Sequence, residues 1–576
     1  MNDDRDDDDR GASVLFEAEF AGAPLALARR DVLAGAPARH IAKGAPARRV
    51  VKGVPVRHIT KGAPVRRDVI AGAAALALSP ALASRASAQA EGGDPRAFGF
   101  EDVVAEARGR AGADYQDATM TLDGPFAGLD YDRYRAIRFR RELDPLGGEG
   151  AFGIDLLPPG SVFTSRVDIA VVRPTGVDDL AFRSGYFHFD TDYFEFPDGR
   201  APEQTGQGLG FSGFRLRAPL NRPEVLDEVA VFQGASYFRA VARDMLYGLS
   251  ARGLSIRTAD PRGEEFPVFR KIWIHEPEPD AASMLVHALL DSPSATGAFR
   301  FEIRPGDVTV MDTECRLFPR LEIAQAGIAA LTSMYYFGPD RRAEVDDFRD
   351  AVHDSQGLQM ITGRGDRLWR PLSNPATVQV SAFQDGSPRG FGLTQRRRDF
   401  GFYQDAEARY DRRPSCWIEP LGDWGPGAVM LVEIPVNNEF NDNIVSFWRP
   451  QGPLAPAEEG HTFRYRLHWC DLPPDRAPIY RVRASRGGTA INEAGRRVMV
   501  VDFACPLAKT EGLAPEIEAS VGEVADVVLV DLPGENAVRA SFTFDPGEAL
   551  AVELRLVLKR GDEAVSETWL HRWTAR

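Results

Sequence analysis

Short runs of β-branched and aromatic residues, separated at close intervals by Gly and Pro, constrain the fold of this chain more than any other feature. The 576 residues include 54 Gly and 41 Pro, and Pro is excluded from helix interiors and central strands. The runs that are typical of strands lie at 229–232, 299–303, 308–311, 377–383, 428–434 and 463–469. Helical periodicity is clearest at 100–108. The pattern predicts a mainly β sandwich or barrel-like body.

A second domain is predicted after a proline-rich connector. Residues 472–478 hold three prolines, which is typical of a stiff linker. We therefore place a domain boundary near residue 474, with a large domain at 91–474. Beyond it, residues 475–576 contain strand patterns at 497–503, 525–530, 537–544 and 549–558. That length and spacing indicate an immunoglobulin-like sandwich.

The N-terminal part has the layout of an export signal. Residues 1–65 combine an aspartate run with a basic nine-residue Gly-Pro repeat, and a wrongly assigned start codon would account for them. Residues 66–90 follow with Arg66 and Arg67, an apolar segment at 70–83 and a small-residue cleavage site ending at Ala90. This predicts a twin-arginine-type signal and a periplasmic location. The alternative is a buried alanine-rich helix. No other apolar run reaches about 18 residues, so no membrane span is expected in the mature chain.

Charge and cysteine usage exclude several functions. The net charge is −15, which disfavours binding to nucleic acid. The four cysteines, at positions 315, 416, 470 and 505, form no Cys-x-x-Cys pair, so zinc and thioredoxin-type chemistry have no support. Three disulfide pairings remain open beside free thiols. No cofactor and no metal are expected.

Two loops hold carboxylates in a setting suited to sugar chemistry. Asp354 lies between His353 and Ser355, while Glu439 and Asp442 lie among four asparagines after an apolar strand. Acetal cleavage needs two carboxyl groups, one as acid and one as base or nucleophile. The alternative is a cluster of Asx turns that only shapes the loop.

Aromatic residues are frequent in the same part of the chain. Their rings can pack against the apolar faces of sugars, although a tryptophan in a β-protein more often belongs to the core. The set consists of Tyr335, Tyr336, Trp369, Tyr410, Trp417, Trp424 and Trp448.

Several longer stretches resemble the periplasmic glucan biosynthesis proteins OpgG and OpgD, also called MdoG and MdoD. The resemblance spans residues 98–576, and the arginine pair of the signal is more typical of the OpgD branch. The matching stretches are 234–239, 247–253, 263–267, 289–297, 331–334, 353–355, 369–372, 412–415 and 441–445.

The resemblance implies a large galactose-mutarotase-like β-sandwich domain joined to a smaller immunoglobulin-like domain. It also implies a role in making osmoregulated glucans with a β-1,2-linked backbone. Members of the family are inverting β-1,2-glucan hydrolases, and some relatives transfer the cut chain and cyclise it.

Carried onto this sequence, the resemblance implies that Asp442 is the general acid and Asp354 the base, acting through a relay of water and a substrate hydroxyl. Tyr410 matches a substrate-lining tyrosine, and Tyr335, Trp369, Trp417 and Glu439 are further candidates for substrate binding. The sequence departs from the family pattern near the acid, at Val436, Asn438 and Phe440.

Three functions follow from these observations. The first is a glycoside hydrolase or transglycosylase acting on β-1,2-glucan. The second is a non-catalytic protein that binds the glucan and presents it to membrane enzymes. The third is a structural partner whose C-terminal domain docks onto the membrane glucan synthase.

Overall fold

The computed structural model describes residues 98–122, 126–147, 150–173, 176–179, 191–197, 209–339, 342, 345–491, 493, 495–504 and 511–575. The predicted N-terminal extension at 1–65, the signal segment at 66–90 and Cys505 lie outside these residues.

Strands dominate the described residues. The helices are α1 (Phe100–Ala111), α2 (Tyr131–Arg135) and α3 (Phe400–Tyr403), with single 3₁₀ turns at Arg141–Leu143, Thr191–Tyr193, Tyr410–Arg412 and Pro533–Glu535. The strands up to the middle of the chain are β1 (Arg138–Phe139), β2 (Gly153–Leu157), β3 (Asp168–Arg173), β4 (Gly176–Asp179), β5 (Phe194–Glu195), β6 (Gly213–Pro219), β7 (Leu226–Gln233), β8 (Tyr237–Ala240), β9 (Ser250–Arg252), β10 (Ser255–Ile256), β11 (Val268–His275), β12 (Met284–Asp291), β13 (Ala295–Arg304), β14 (Thr309–Pro319), β15 (Ala326–Ser333), β16 (Tyr335–Phe337) and β17 (Val352–His353). The remaining strands are β18 (Gly357–Ile361), β19 (Arg367–Pro371), β20 (Gln379–Asp385), β21 (Gly390–Thr394), β22 (Ser415–Pro420), β23 (Gly427–Glu433), β24 (Ile444–Pro450), β25 (His461–Cys470), β26 (Arg481–Thr489), β27 (Arg497–Ala504), β28 (Leu513–Ala519), β29 (Val524–Leu532), β30 (Ala537–Phe544), β31 (Ala551–Arg560), β32 (Glu563–Ala564) and β33 (Thr568–Thr574).

Two large sheets pack face to face and enclose the main core. The first has the strand order β2-β6-β7-β8-β9-β15-β24-β23-β20, and the second runs from β28 through β31, β33, β19, β18, β21, β22, β25, β14, β13, β12, β11 and β3 to β4. Along β13, Phe299, Phe301 and Ile303 alternate into the core. The Phe301 ring meets the Phe232 ring of β7 edge to face at 5.2 Å. Such contacts between sheets define a β-sandwich.

Helix α1 covers the outer face of the second sheet. Val103, Val104 and Ala107 pack against residues of β11, β12 and β13, including Trp273. The helix begins where the Asp102 carboxylate accepts a hydrogen bond from the Gly99 N–H at 2.7 Å, which satisfies one of the unpaired donors of the first turn. The helical periodicity at 100–108 is thereby confirmed.

The C-terminal strands form a second core. The four-stranded sheet β26-β27-β30-β29 faces β28, β31 and β33, and residues such as Phe503, Phe542 and Leu556 are buried between them. Strand β33 runs parallel to β19, with Trp369 opposite Trp569, so this region continues the second large sheet. The mainly β, sandwich-type fold is confirmed. The boundary near residue 474 remains a prediction.

Candidate functional site

Asp442 lies on the loop that connects the buried strands β23 and β24. The base of this loop is closed by Asn443, whose side chain is fully buried. Its amide donates to the carbonyls of Tyr335 and Ile434 at 3.0 and 2.9 Å and accepts from the Tyr335 N–H at 2.8 Å. Every polar atom of the amide is therefore used to fix the end of the loop.

The tip of the same loop is shaped by a second asparagine. The Asn438 side-chain oxygen accepts from the Phe440 N–H at 2.9 Å and from the Asn441 amide at 3.0 Å. This is an Asx-type turn. The asparagines thus divide their roles, since Asn438 shapes the tip while Asn443 holds the base.

Asp354 lies just beyond the short pair of strands β16 and β17. Its backbone N–H donates to the Met334 carbonyl at 2.9 Å. The neighbouring Ser355 hydroxyl is 2.8 Å from that of Ser333 on β15, and the pairing of Tyr335 with His353 holds the segment from the other side. The Asp354 side chain is only 1% exposed.

His353 is a neutral imidazole in this arrangement. Its ring stacks on that of Tyr335, with centroids 5.2 Å apart and planes within 4°. The Gln395 amide nitrogen donates to the carbonyls of His353 and Tyr410 at 3.0 and 3.2 Å. The Gln395 oxygen therefore faces His353 Nδ1, 3.0 Å away, and accepts a hydrogen bond from the Nδ1–H group. Burial lowers the pKa of His353 to about 4, against the opposing effect of the Gln395 hydrogen bond.

Each of the two aspartates lies beside a buried arginine. Arg239 Nη2 is 3.8 Å from Asp442 Oδ2, and Arg413 Nε is 3.7 Å from Asp354 Oδ1. The two arginines bind consecutive carbonyls of one segment, because Arg239 donates to Gly248 at 2.8 Å and Arg413 donates to Tyr247. A continuous series of contacts therefore joins Asp442 to Asp354.

A tyrosine hydroxyl stays protonated beside Asp442. The pKa of Tyr237 is raised to about 12, first by burial, against the nearby Arg252 guanidinium, and further by the negative charges of Asp442 and Glu264. Arg252 lies 4.8 Å from the centre of the Tyr237 ring and donates to Glu264 at 2.6 Å. Tyr237 is thus a hydrogen-bond donor at neutral pH.

Glu439 is part of a separate group of charges. Its carboxylate forms an ion pair with Arg349 at 2.7 Å. Arg349 also pairs with Asp347 at 2.8 Å and with Asp405 at 2.7 Å. Arg349 therefore connects the Asp442 loop to the segment that leads into β17.

The aromatic candidates occupy two kinds of position. The Tyr335 ring stacks on His353, as described, and the buried Tyr410 ring lies 5.3 Å from the Arg413 guanidinium. Trp369 lies in the C-terminal core under the guanidinium of Arg396 at 3.5 Å, and it lines a cleft that Tyr335 and His353 also line. Trp417 is buried on β22, with its indole against Gly390. The structure thus connects Asp354, Asp442, Tyr335 and Tyr410, whereas both tryptophan side chains are buried, and their role in substrate binding stays a prediction.

Several residues of the site were not predicted from the sequence. Arg239 and Arg413 contact aspartates far away in the chain, and Arg252 donates to the distant Thr332 as well as to the nearby Glu264, so local patterns could not single them out. They do lie within stretches that carry the family resemblance, 234–239, 247–253 and 412–415. The stretches that match the family therefore contain these arginines, but nothing in the sequence indicates which of their residues belong to the site.

The described residues show neither a group of metal ligands nor a membrane-spanning helix. Among them, no three His, Cys, Asp or Glu side chains gather as metal ligands. No helix within the same residues has the length and apolar character needed to cross a bilayer. Cys315, Cys416 and Cys470 are buried free thiols.

Comparison with known proteins matches nearly the whole described region. A family model described as "Periplasmic glucan biosynthesis protein, MdoG" covers residues 98–573. "Glucans biosynthesis protein G" of Vibrio cholerae is 45% identical over 482 residues, 83% of this chain and 87% of the relative. The protein of the same name from Rhodopseudomonas palustris is 45% identical over 512 residues, 88% of this chain and 99% of the relative. This chain belongs to the MdoG family of periplasmic glucan biosynthesis proteins.

Proposed function

We propose that this protein cleaves the β-1,2-linked backbone of periplasmic glucan by an inverting mechanism. Asp442 is the general acid and Asp354 is on the side of the base. The observation that carries the proposal is the series of contacts from Asp442 through Arg239, the carbonyls of Gly248 and Tyr247, and Arg413 to Asp354. It holds two carboxyl groups at fixed positions in one site.

The difference in exposure between the two carboxyl groups supports this division of roles. A general acid must touch the leaving oxygen of the glycosidic bond, and the Asp442 side chain is 17% exposed. The almost fully buried Asp354 cannot meet an attacking water at the surface. It suits a base that receives the proton through an intervening water and a substrate hydroxyl.

The surrounding side chains supply positioning and hydrogen bonds. The protonated Tyr237 hydroxyl is available as a hydrogen-bond donor near Asp442, and the neutral His353 stacks on the Tyr335 ring. Arg239 Nη2 lies 3.8 Å from Asp442 Oδ2, so this contact with the carboxyl group is electrostatic and longer than a hydrogen bond.

The test is to incubate the purified protein with linear β-1,2-glucan and to follow product size and anomeric form by NMR. Asp442→Asn removes the acid, and Asp307→Asn, at an exposed ion pair with Arg243, is the matched control. We expect shorter products of inverted configuration from the wild type and the control. The Asp442→Asn variant should bind the glucan without cutting it.

Other outcomes of the same experiment separate the alternatives. Cyclic products would identify a transglycosylase. Glucan that is bound by all three proteins but left unchanged would contradict cleavage and identify a protein that presents the glucan to membrane enzymes. Retained configuration would contradict the inverting mechanism.

The location and partner of the protein belong to the same proposal. The family description names the periplasm, and the basic and apolar segment at 66–90 supplies the route. Replacing Arg66 and Arg67 by lysine should leave the protein in the cytoplasm, since the twin-arginine route requires that pair. Both relatives are named "Glucans biosynthesis protein G", so the assignment to the OpgD branch remains a prediction that rests on the arginine pair alone. A membrane glucan synthase is the proposed partner.

A further inference from the structure

Two phenylalanine rings are exposed at the edge of the candidate site. Phe348 is 71% and Phe440 is 56% exposed, whereas the rings of Phe337, Phe391 and Phe402 in the same region are buried. Exposing a large apolar side chain forgoes the stabilisation that its burial would provide. Exposed apolar groups that lie close together often mark a binding surface.

One ion pair joins the two loops that carry these rings. Phe440 directly follows Glu439, whose carboxylate is 2.7 Å from Arg349. Phe348 directly precedes Arg349, and its ring centre is 5.7 Å from that guanidinium. Because Asp347 and Asp405 also hold Arg349, the relative position of the two loops is fixed.

The two rings are also close to the carboxyl groups along the chain. Phe440 lies two residues before Asp442, on the loop whose tip is set by the Asn438 turn. Arg349 lies four residues before His353, on the segment that leads to Asp354. Both rings therefore lie on segments that lead directly to the two carboxyl groups of the proposed site.

We propose that Phe348 and Phe440 form an aromatic rim that holds a glucose unit of the glucan outside the cleaved linkage. The rings are uncharged, as is the glucose chain, and each offers a flat apolar face to the C–H face of a pyranose ring. The identity of this ligand depends on the proposed function. The rim sets how many sugar units the site must engage, and thus the length of the products.

The proposed rim is tested by measuring the binding of oligosaccharides, so that the result does not depend on whether the protein cleaves glucan. Linear β-1,2-gluco-oligosaccharides of increasing length are titrated calorimetrically into the full protein carrying Asp442→Asn. Phe348→Ala and Phe440→Ala are added singly and together, and Phe440→Tyr retains a ring. Leu550→Ala, at a distant exposed apolar residue, is the matched control.

We expect each alanine substitution to weaken the affinity for long oligosaccharides by about threefold to tenfold, the range for one aromatic contact. The shortest oligosaccharides, which do not reach the rim, should bind all variants alike. Phe440→Tyr and Leu550→Ala should retain the affinity for long chains. In the cleaving protein, Phe440→Ala should also shift the distribution of product lengths.

Two results would overturn the rim. One is unchanged affinity for long oligosaccharides in the double alanine variant, with its melting temperature showing that it is folded. The other is an equal loss for short and long chains, which would indicate a general disturbance of the site. If the affinity falls only for long chains but the protein never cuts glucan, the result supports the aromatic rim and contradicts only the proposed cleavage.

Discussion

The segments that carry Asp354 and Asp442 differ in how firmly they are held. Asp354 is held on both sides by backbone pairing and by the contact of Ser355 with Ser333, and it is almost fully buried. Asp442 lies on a loop anchored at its base by Asn443, with a partly exposed tip. Under the proposed mechanism, this difference would combine a rigid, buried base with an acid that a polymer can reach.

The largest expected effect is a loss of cleavage activity in both aspartate variants, accompanied by a loss of stability in only one of them. Asp354→Asn and Asp442→Asn should each reduce cleavage by about 100-fold or more, because each removes a proton-transfer group. Only Asp354→Asn should strongly lower the free energy of unfolding, by about 3 kcal/mol, since Arg413 would keep a buried charge without its carboxylate. Activity assays and urea unfolding of both variants measure the two effects. Equal destabilisation of the two variants would contradict the comparison.

The next largest effect is a pH dependence of folding stability, which involves only the segment that carries His353 and Asp354. The pKa of His353 is lowered by burial to about 4 in the folded protein, against about 6.5 when unfolded. The folded state therefore binds fewer protons between these values, so stability is full above pH 6.5 and falls as the pH drops towards 4. The contribution amounts to about 3 kcal/mol at most.

The variant His353→Gln removes this titration while retaining a donor towards Gln395. Urea unfolding at pH 7 and pH 5 should show a smaller loss of stability on acidification for the variant than for the wild type. The buried His287, whose pKa is lowered to about 3 chiefly by burial, remains in both proteins and cancels in the difference. An identical pH dependence would show that His353 does not contribute.

The smallest effects compare the two asparagines of the Asp442 loop. Asn443→Ala removes the buried amide that holds Tyr335 and Ile434, and it should cost about 2–3 kcal/mol, since several buried backbone groups lose their partner. Asn438→Ala removes only the exposed turn contacts and should cost about 0.5 kcal/mol. Thermal unfolding of both variants checks this order. Equal losses would mean that the loop is held as firmly at its tip as at its base.

The sequence pattern correctly predicted several strands of the sheets. The run at 537–544 corresponds to β30, and the run at 428–434 overlaps β23. Strand β33 was not predicted, because its residues alternate poorly between buried and exposed positions, although its antiparallel partner β31 is close in the chain. The contact between His275 and His287, 3.0 Å apart on neighbouring strands, was also missed, since their separation in sequence suggests no pairing.

The candidate site was only partly readable for a related reason. Asp354 and Asp442 were selected through local context and resemblance, and the structure connects them. Their arginine partners depend on contacts between residues more than 50 positions apart, which no local pattern reveals. The roles of Trp369 and Trp417 in substrate binding remain predictions, since both rings are buried.

The parallel pairing of β33 with β19 links the C-terminal sandwich to the segment of Asp354. Glu567, one residue before β33, binds the Arg396 guanidinium at 2.7 and 2.8 Å, and the N–H groups of Arg396 and Arg397 donate to Gln356, two residues after Asp354. The segment that carries Asp354 is therefore held in place partly by C-terminal residues. We expect the two sandwiches to unfold together in one cooperative transition rather than independently.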